Sequence, residues 1–349
     1  MLEKILKNLP KRVDGLLIIS PENRRYLTGF DASDGFLFIT KNGSLFLTDS
    51  RYIEAAQNKI TACPVEEMKE KLAEYAARFG CGTLAIEADR LTVSQLKALR
   101  KALNGVKLTT VCTDKIIDEL RAVKGENEIE KIVEAQRIAE TALKHILGFI
   151  RVGVTEKEIA LELDYYMLGH GADGISFETI AVSGANTSKP HGVPTNKKIE
   201  HGDFVTMDFG AVIDGYHSDM TRTVAVGEVS EEQRMVYNTV LQAQLAALDA
   251  LKSGLSCADA DATARTVITE AGYGDFFRHS TGHGVGIEIH EKPNLSPKSK
   301  AVLKSGNVVT VEPGIYIPSR FGVRIEDMAL ITENGRINLT TAPKELIIL

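Results

Sequence analysis

Cysteine is scarce in this chain of 349 residues: Cys63, Cys81, Cys112 and Cys257 are the only four, and no two stand in a C-x-x-C spacing. That excludes a disulfide-framed scaffold and a zinc knuckle, and leaves reduced, packed thiols as the expectation. Long apolar runs are missing as well. No stretch approaches the ~18 consecutive apolar residues that a membrane-spanning helix needs. The N-terminal MLEKILKNLPKRVDG is basic but has no apolar core followed by a small-residue cleavage site. A cytoplasmic protein without membrane contact is expected. Positive charge is not in excess either: 41 Lys and Arg against 47 Asp and Glu leave a formal net charge of −6, which argues against a nucleic-acid partner held through its phosphates.

What is present is an ordinary globular composition, 44% hydrophobic and 25% charged, in a chain too long for one typical core. Two domains are expected, residues 1–123 and 124–349, with the charged stretch ELRAVKGEN (Glu119 to Asn127) marking the boundary. In the first, an apolar run of strand type at Val13 to Ser20 precedes a hairpin signal at Asn42-Gly43. Helix-like stretches follow at Arg51 to Lys59 and Met68 to Phe79, then a strand at Thr83 to Ile86 and a helix around Ser94 to Leu103. This alternation describes an α/β domain ending near Cys112, and it carries no catalytic motif.

From Glu128 a long amphipathic helix is expected, with Ile129, Ile132, Val133, Ala139, Leu143, Ile146 and Leu147 on its apolar stripe. Capping boxes at Thr155/Glu158 and Ser230/Gln233 start two more helices, and a fourth runs from about Cys257 to Ala271 and stops at Gly272. Helices thus precede each of two acid-bearing hairpins. That order fits a curved antiparallel sheet with helices on its outer face and the acids on its inner one.

The first hairpin lies in VTMDFGAVIDGYHSDMTR, Val205 to Arg222, with Asp214-Gly215 as a two-residue turn. Ile213 then faces Tyr216 and Gly210 faces Asp219, so Asp208 and Asp219 become diagonal neighbours on one face. The second lies in VTVEPGIYIPSRFGVRIED. A five-residue loop from Pro318 to Gly322 would pair Ile317 with Val323 and set Glu312 and Glu326 on the same diagonal, a hint of internal duplication. Between them, glycines on both sides of His283 would let the backbone approach a ligand closely. Unpaired carboxylates held that close repel unless a proton or cation lies between them. Four carboxylates and one imidazole exceed the needs of one structural zinc and suit two divalent ions that favour oxygen ligands.

MDFGAVIDGYHSDMTRT, HSTGHGVGIEIHE, VEPGIYIP and GVRIED together resemble the pita-bread metallopeptidases of the aminopeptidase P and prolidase branch, over most of Lys124 to Leu349. The first half resembles, more weakly, the creatinase-type amino-terminal domain of that branch. The resemblance implies an α/β amino-terminal domain followed by a pita-bread catalytic domain with an internal pseudo-twofold. It implies two divalent ions, manganese ahead of cobalt, zinc or iron, with Asp208 chelating one, Asp219 and Glu326 bridging, and His283 and Glu312 completing the other. A metal-bridging hydroxide would be the nucleophile, and Glu312 would shuttle its proton to the leaving nitrogen. His191, His279, His290, Tyr316 and Arg324 match positions lining the family's substrate pocket, with His290 the candidate oxyanion donor and His191 and Arg324 positioning substrate or supporting the ligands.

Peptides with proline in second position are the substrates the resemblance implies, and a homodimer the assembly. Prolidases of this branch commonly carry Arg just beyond the HExP motif, whereas HEKPN here ends in Asn294. A dipeptide loses a charge-assisted anchor for its carboxylate by that change. The expectation is therefore an Xaa-Pro aminopeptidase, with an Xaa-Pro dipeptidase as the alternative. Methionine aminopeptidase usually lacks so large an amino-terminal domain. The intact ligand set argues against a metal-free binding protein or creatinase.

Overall fold

The structure, a computed structural model, describes residues 2–111 and 116–349, so Cys112 and the expected domain end beside it lie outside the described residues. The chain divides into two compact units, Met1–Arg121 and Ala122–Leu349.

In the first unit six strands, β1 (Gly15–Ile18), β2 (Phe36–Thr40), β3 (Gly43–Thr48), β4 (Val65–Glu67), β5 (Thr83–Glu87) and β6 (Lys107–Val111), form a mixed sheet in the order β4-β3-β2-β1-β5-β6. Helices α1 (Leu2–Asn8), α2 (Pro21–Thr28), α3 (Ile53–Lys59), α4 (Leu72–Arg78) and α5 (Val93–Ala102) cover it, and α6 (Asp118–Ala122) follows. Strand side chains alternate, so β1 feeds two cores. Leu16 and Ile18 pack with Ile5, Leu27 and Ala56 from the first three helices, while Leu17 packs with Leu72, Tyr75 and Leu99 from the next two. The expected Asn42-Gly43 hairpin is present, with Thr40 paired to Gly43 so that Lys41 and Asn42 make the turn. The helix expected from Met68 begins only at Leu72, and Val65–Glu67 instead pair with β3.

The second unit repeats one plan. Helices α7 (Glu126–Phe149) and α8 (Glu156–Gly169) precede β7 (Gly174–Ile175), β8 (Ile180–Ser183), β9 (Phe204–Phe209), β10 (Ala211–Ile213), β11 (Tyr216–His217) and β12 (Met220–Ala225). Helices α9 (Glu231–Ala250) and α10 (Cys257–Glu270) precede β13 (Gly282–Gly284), β14 (Glu291–Leu295), β15 (Val308–Val311), β16 (Gly314–Ile317), β17 (Phe321–Arg324), β18 (Asp327–Ile331) and β19 (Arg336–Asn338). The strand orders are β12-β9-β8 in one half and β14-β13-β15-β18-β19 in the other, each with a hairpin inserted between its second and third common strands. The expected capping boxes at Thr155 and Ser230 start α8 and α9, and Gly272 (φ 87°) follows α10 in the left-handed region.

Period-two alternation decides which face carries chemistry. Val205, Met207 and Phe209 of β9 and Met220 and Val224 of β12 join the core under α7 and α8, and Val309 and Val311 of β15 join the core under α9 and α10. Asp208, Thr221 and Thr310 fall on the opposite face.

The first hairpin has the expected register: Ile213 pairs with Tyr216, and Asp208 stands opposite Thr221. Asp214 (φ 44°) and Gly215 (φ 74°) both take the left-handed conformation that a type I′ turn demands. The second hairpin corrects the expectation. Ile317 pairs with Phe321 and Gly314 with Arg324, so the loop is three residues, with Ser319 at φ 59°. Phe321 is buried edge-on against Phe204, 5.9 Å between ring centroids, which draws it out of the loop into the strand. The slip is two residues, so every side chain keeps its face. Val311 pairs with Asp327, and the same register sets Glu312 directly opposite Glu326 instead of diagonal to it.

Candidate metal centre

Four acids and one imidazole converge in the second unit: Asp208 on β9, His283 on β13, and Asp219, Glu312 and Glu326 at junctions beside strands. Ligand atoms of Asp219, His283 and Glu326 all lie within 4.8 Å of one another, and all three residues are buried. His283 Nε2 is 3.5 Å from Asp219 Oδ2 and 3.4 Å from Glu312 Oε1. Asp208 completes the group, its Oδ2 taking a 2.6 Å ion pair from Arg324 Nη2.

Neighbouring hydroxyls fix the acids. Thr221 Oγ1 donates to Glu326 Oε2 at 2.6 Å, and Thr310 Oγ1 donates to Glu312 Oε1 at 3.1 Å. The Thr310 hydroxyl oxygen also accepts the His283 backbone N–H at 3.0 Å, tying two of the converging residues to one side chain. Sequence reading missed both threonines. Their signal was available: each stands two residues from an acid, and period two places it on the acid's face.

The glycines flanking His283 serve a different purpose from the one expected. A Cβ on Gly282 would come 2.0 Å from the Thr310 carbonyl oxygen, and one on Gly284 2.4 Å from that of Lys292. They admit neighbouring strands, not a ligand.

The electrostatics call for a cation. His283 Nδ1 lies 3.1 Å from the Gly284 carbonyl oxygen, which can only accept, so the proton belongs on Nδ1 and the Nε2 lone pair points at two carboxylates. Burial holds the His283 pKa below its ordinary value, which keeps the ring neutral. Burial, followed by the charges of Glu326, Asp208 and Glu312, pushes Asp219 well above the carboxylate range. Glu326 is raised well above it by burial and then by Glu312 and Asp208, and Glu312 is pushed up to about 8, chiefly by burial. Asp208 Oδ1 is buried with no hydrogen-bond partner. Lone pairs and carboxylates aimed at one another, with an orphaned oxygen beside them, fit divalent ions of the oxygen-favouring kind.

Around this centre lies a cleft of 770 Å³ lined by Phe177, Glu178, His191, Val193, His279, His290, Asn294 and Arg324 among others. His191 is exposed. The ring of His290, an exposed residue, sits 4.4 Å, centroid to centroid, from that of His283. His279, Tyr316 and Arg324, all expected at substrate, engage one another. Arg324 Nη1 donates to the Tyr316 hydroxyl at 2.8 Å, and that hydroxyl lies 3.0 Å from His279 Nε2. His279 Nδ1 must donate to the Ser280 carbonyl at 2.8 Å, so Nε2 accepts from the tyrosine. The result is a continuous path from His279 through Tyr316 and Arg324 to Asp208. Burial, then the Arg324 charge, lowers the His279 pKa to about 4, which makes this ring a neutral acceptor.

The sequence model of metallopeptidase family M24 matches residues 130–333, more than half of the chain. The chain belongs to metallopeptidase family M24. A creatinase/prolidase N-terminal domain matches residues 2–123, in keeping with the expected resemblance. Among relatives, an uncharacterized peptidase of Bacillus subtilis (strain 168), YqhT, is 44% identical over 341 residues, covering 97% of this chain and 96% of its own. Among solved structures, an Xaa-Pro dipeptidase from Bacillus anthracis superposes with a TM-score of 0.97 at 42% identity, covering 100% of this chain and 99% of that one. An X-Pro aminopeptidase from Thermotoga maritima MSB8 gives 0.91 at 38% identity, covering 97% and 98%. An M24 metallopeptidase requires a divalent metal, and the donor set described above fits one.

Proposed function

We propose that this M24 enzyme is a metal-dependent Xaa-Pro exopeptidase that hydrolyses the bond between an N-terminal residue and a following proline, and that it accepts peptides extending beyond the proline. The observation that carries the hydrolytic reading is the buried set of lone pairs around His283, Asp219 and Glu326 at the floor of an open cleft. The names of its similar structures support the proline reading.

Asp208, Asp219, His283, Glu312 and Glu326 would hold two divalent ions, manganese being the first candidate ahead of cobalt, zinc and iron. Such ions, when bound, supply Lewis acidity to the scissile carbonyl and lower the pKa of an attacking water. The protein's own groups supply the rest. Glu312, buried and held by Thr310, would take the proton of the attacking water and deliver it to the leaving nitrogen. That transfer is required, because a prolyl nitrogen leaves as a secondary amine only once protonated. His290 would donate its ring N–H to the carbonyl oxygen as charge develops there. His191, exposed on the cleft wall, would orient the peptide, while the His279–Tyr316–Arg324 path holds Asp208. We place the functional boundary between the two parts at residues 123/124 and the enzyme in the cytoplasm, a setting that suits the free thiols of Cys63, Cys81 and Cys257.

A panel of Xaa-Pro and Xaa-Pro-Yaa peptides with added manganese, cobalt or zinc tests the reading. Cleavage before proline, lost on chelation and restored by a divalent ion, is expected. Full turnover by verified metal-free protein, or no cleavage of any Xaa-Pro peptide, would overturn it.

A strict dipeptidase is the second reading, favoured by the name of the Bacillus anthracis structure. The cleft offers the carboxylate of a dipeptide little positive charge. Arg324 is the only Lys or Arg among the described residues that line it, and its donors already reach Thr221, Pro190, Tyr316 and Asp208. Asn294 offers a neutral hydrogen bond, worth about 1 kcal/mol against roughly 1.5–3 for a charged one. A dipeptide disadvantage of about tenfold in kcat/KM against a matched tripeptide is therefore expected, and Asn294→Arg should narrow or reverse it. A parent chain that already prefers the dipeptide would establish the dipeptidase reading instead.

A further inference from the structure

Six residues separate Gly284, the last residue of β13, from Glu291, the first residue of β14, and His290 rides on that loop immediately before the strand. Strand pairing holds both ends, since Gly284 pairs with Glu291. The loop itself wraps around the Glu291 carboxylate. Oε1 accepts the Glu288 N–H at 3.1 Å, the Gly286 N–H donates to the Glu288 carbonyl at 3.1 Å, and a Cβ on Gly286 would come 2.5 Å from Oε2. Glu291 Oε2 in turn receives Lys124 Nζ at 2.9 Å, with the two side chains only 1% and 5% exposed.

Lys124 comes from rigid ground. Its N–H donates to the Gly306 carbonyl at 2.8 Å, Val123 bridges Asn307, and Asn307 Nδ2 donates to the Ala122 carbonyl at 2.8 Å. Asn307 immediately precedes β15, the strand that leads into Glu312. A buried ion pair adds little net stability over an apolar pair of equal volume, but separating its partners strands a charge in the interior. What it supplies is fixed geometry.

We infer that the Lys124–Glu291 pair is a positioning device for the hydrolysis: it fixes the 285–290 loop, and through it the ring of His290, against the metal-binding residues. The inference rests on the proposed role of His290. Its structural half, the fixing of the loop, stands apart from that role.

The test combines kinetics with amide exchange on the full-length, metal-loaded enzyme. Lys124→Met is expected to lower kcat by about tenfold or more, since sub-ångström placement of catalytic groups carries penalties of this size. KM should stay within about twofold and metal content should be unchanged, while exchange at 285–290 speeds up by at least about tenfold. Lys124→Arg should recover most of the kcat and the protection. Should Lys124→Met fail to fold, the double variant Lys124→Met/Glu291→Gln carries no stranded charge and should fold, with the same fast exchange and low kcat. Parent-like exchange and kcat in either folded variant would overturn the inference, as would a loss of kcat that only tracks lost metal. Should the parent cleave no Xaa-Pro peptide, the proposed function fails, and parent-like loop exchange in the variants still decides against the pairing.

Discussion

Glu326→Gln is expected to lose bound metal and activity together, with kcat/KM falling by roughly three orders of magnitude or more, the scale of several kcal/mol of Lewis-acid stabilisation. The side chain sits within 4.8 Å of ligand atoms on both Asp219 and His283, and an amide there replaces an anionic donor by a neutral one. Thr221, which donates to Glu326 Oε2, would still find an oxygen, so the fold should survive. Thermal melting gives a second readout. In metal-free protein the folded pKa of Glu312, about 8, lies above its ordinary value of 4.5, and that of Glu326 is also raised. The folded state therefore holds protons that the unfolded chain releases. Stability from these groups is fully present below about pH 4.5 and declines as pH rises toward 8. Metal-free Glu326→Gln has one fewer charge to confine, so its melting temperature should exceed that of the metal-free parent near pH 8, while added metal should raise it far less. Parent-like metal content in the variant would remove Glu326 from the ligand set.

How much of this was legible in the sequence depends on what enforced each feature. The Asp214-Gly215 turn has two positions that only a few residues tolerate, so its register followed from the sequence and placed Asp208 and Asp219 on one face. The Pro318 to Gly322 loop contains no comparable constraint. Its length was settled by the burial of Phe321 against Phe204, a contact between strands more than a hundred residues apart, which no local pattern reveals. The acid face survived the error because a slip of two preserves side-chain direction, whereas a slip of one would have buried Glu326 among aliphatic side chains.

The supporting residues were harder still. Arg324, Tyr316 and His279 were expected at substrate because they match pocket positions, yet their polar atoms are largely spent on one another and on Asp208. The distinction turns on which partner each donor meets, and spacing along the chain carries no such information. The short β4 strand and the four-residue delay in the helix after it were invisible for a related reason: Val65–Glu67 are strand because β3 lies beside them.

His290→Ala separates the roles within the centre. His290 is not among the clustered donors, but its ring lies 4.4 Å from that of His283 and lines the cleft. Partial desolvation beside the centre, then the neighbouring His283, holds its pKa below the usual 6.5, so at neutral pH the ring is uncharged and offers one N–H. A neutral donor aimed at the carbonyl oxygen bonds weakly to the planar substrate and strongly to the oxygen once it carries negative charge. Its removal should therefore lower kcat by roughly a hundred- to a thousandfold, as for other oxyanion donors, with little change in KM. Metal content should match the parent. Because the ring is already neutral above the ordinary imidazole range, the variant should also leave any kcat inflection between pH 7 and 9 in place, and that inflection would then belong to another group. Metal loss in proportion to lost activity would assign His290 to the ligands, and an unchanged kcat would assign the oxyanion to a different donor on the cleft wall.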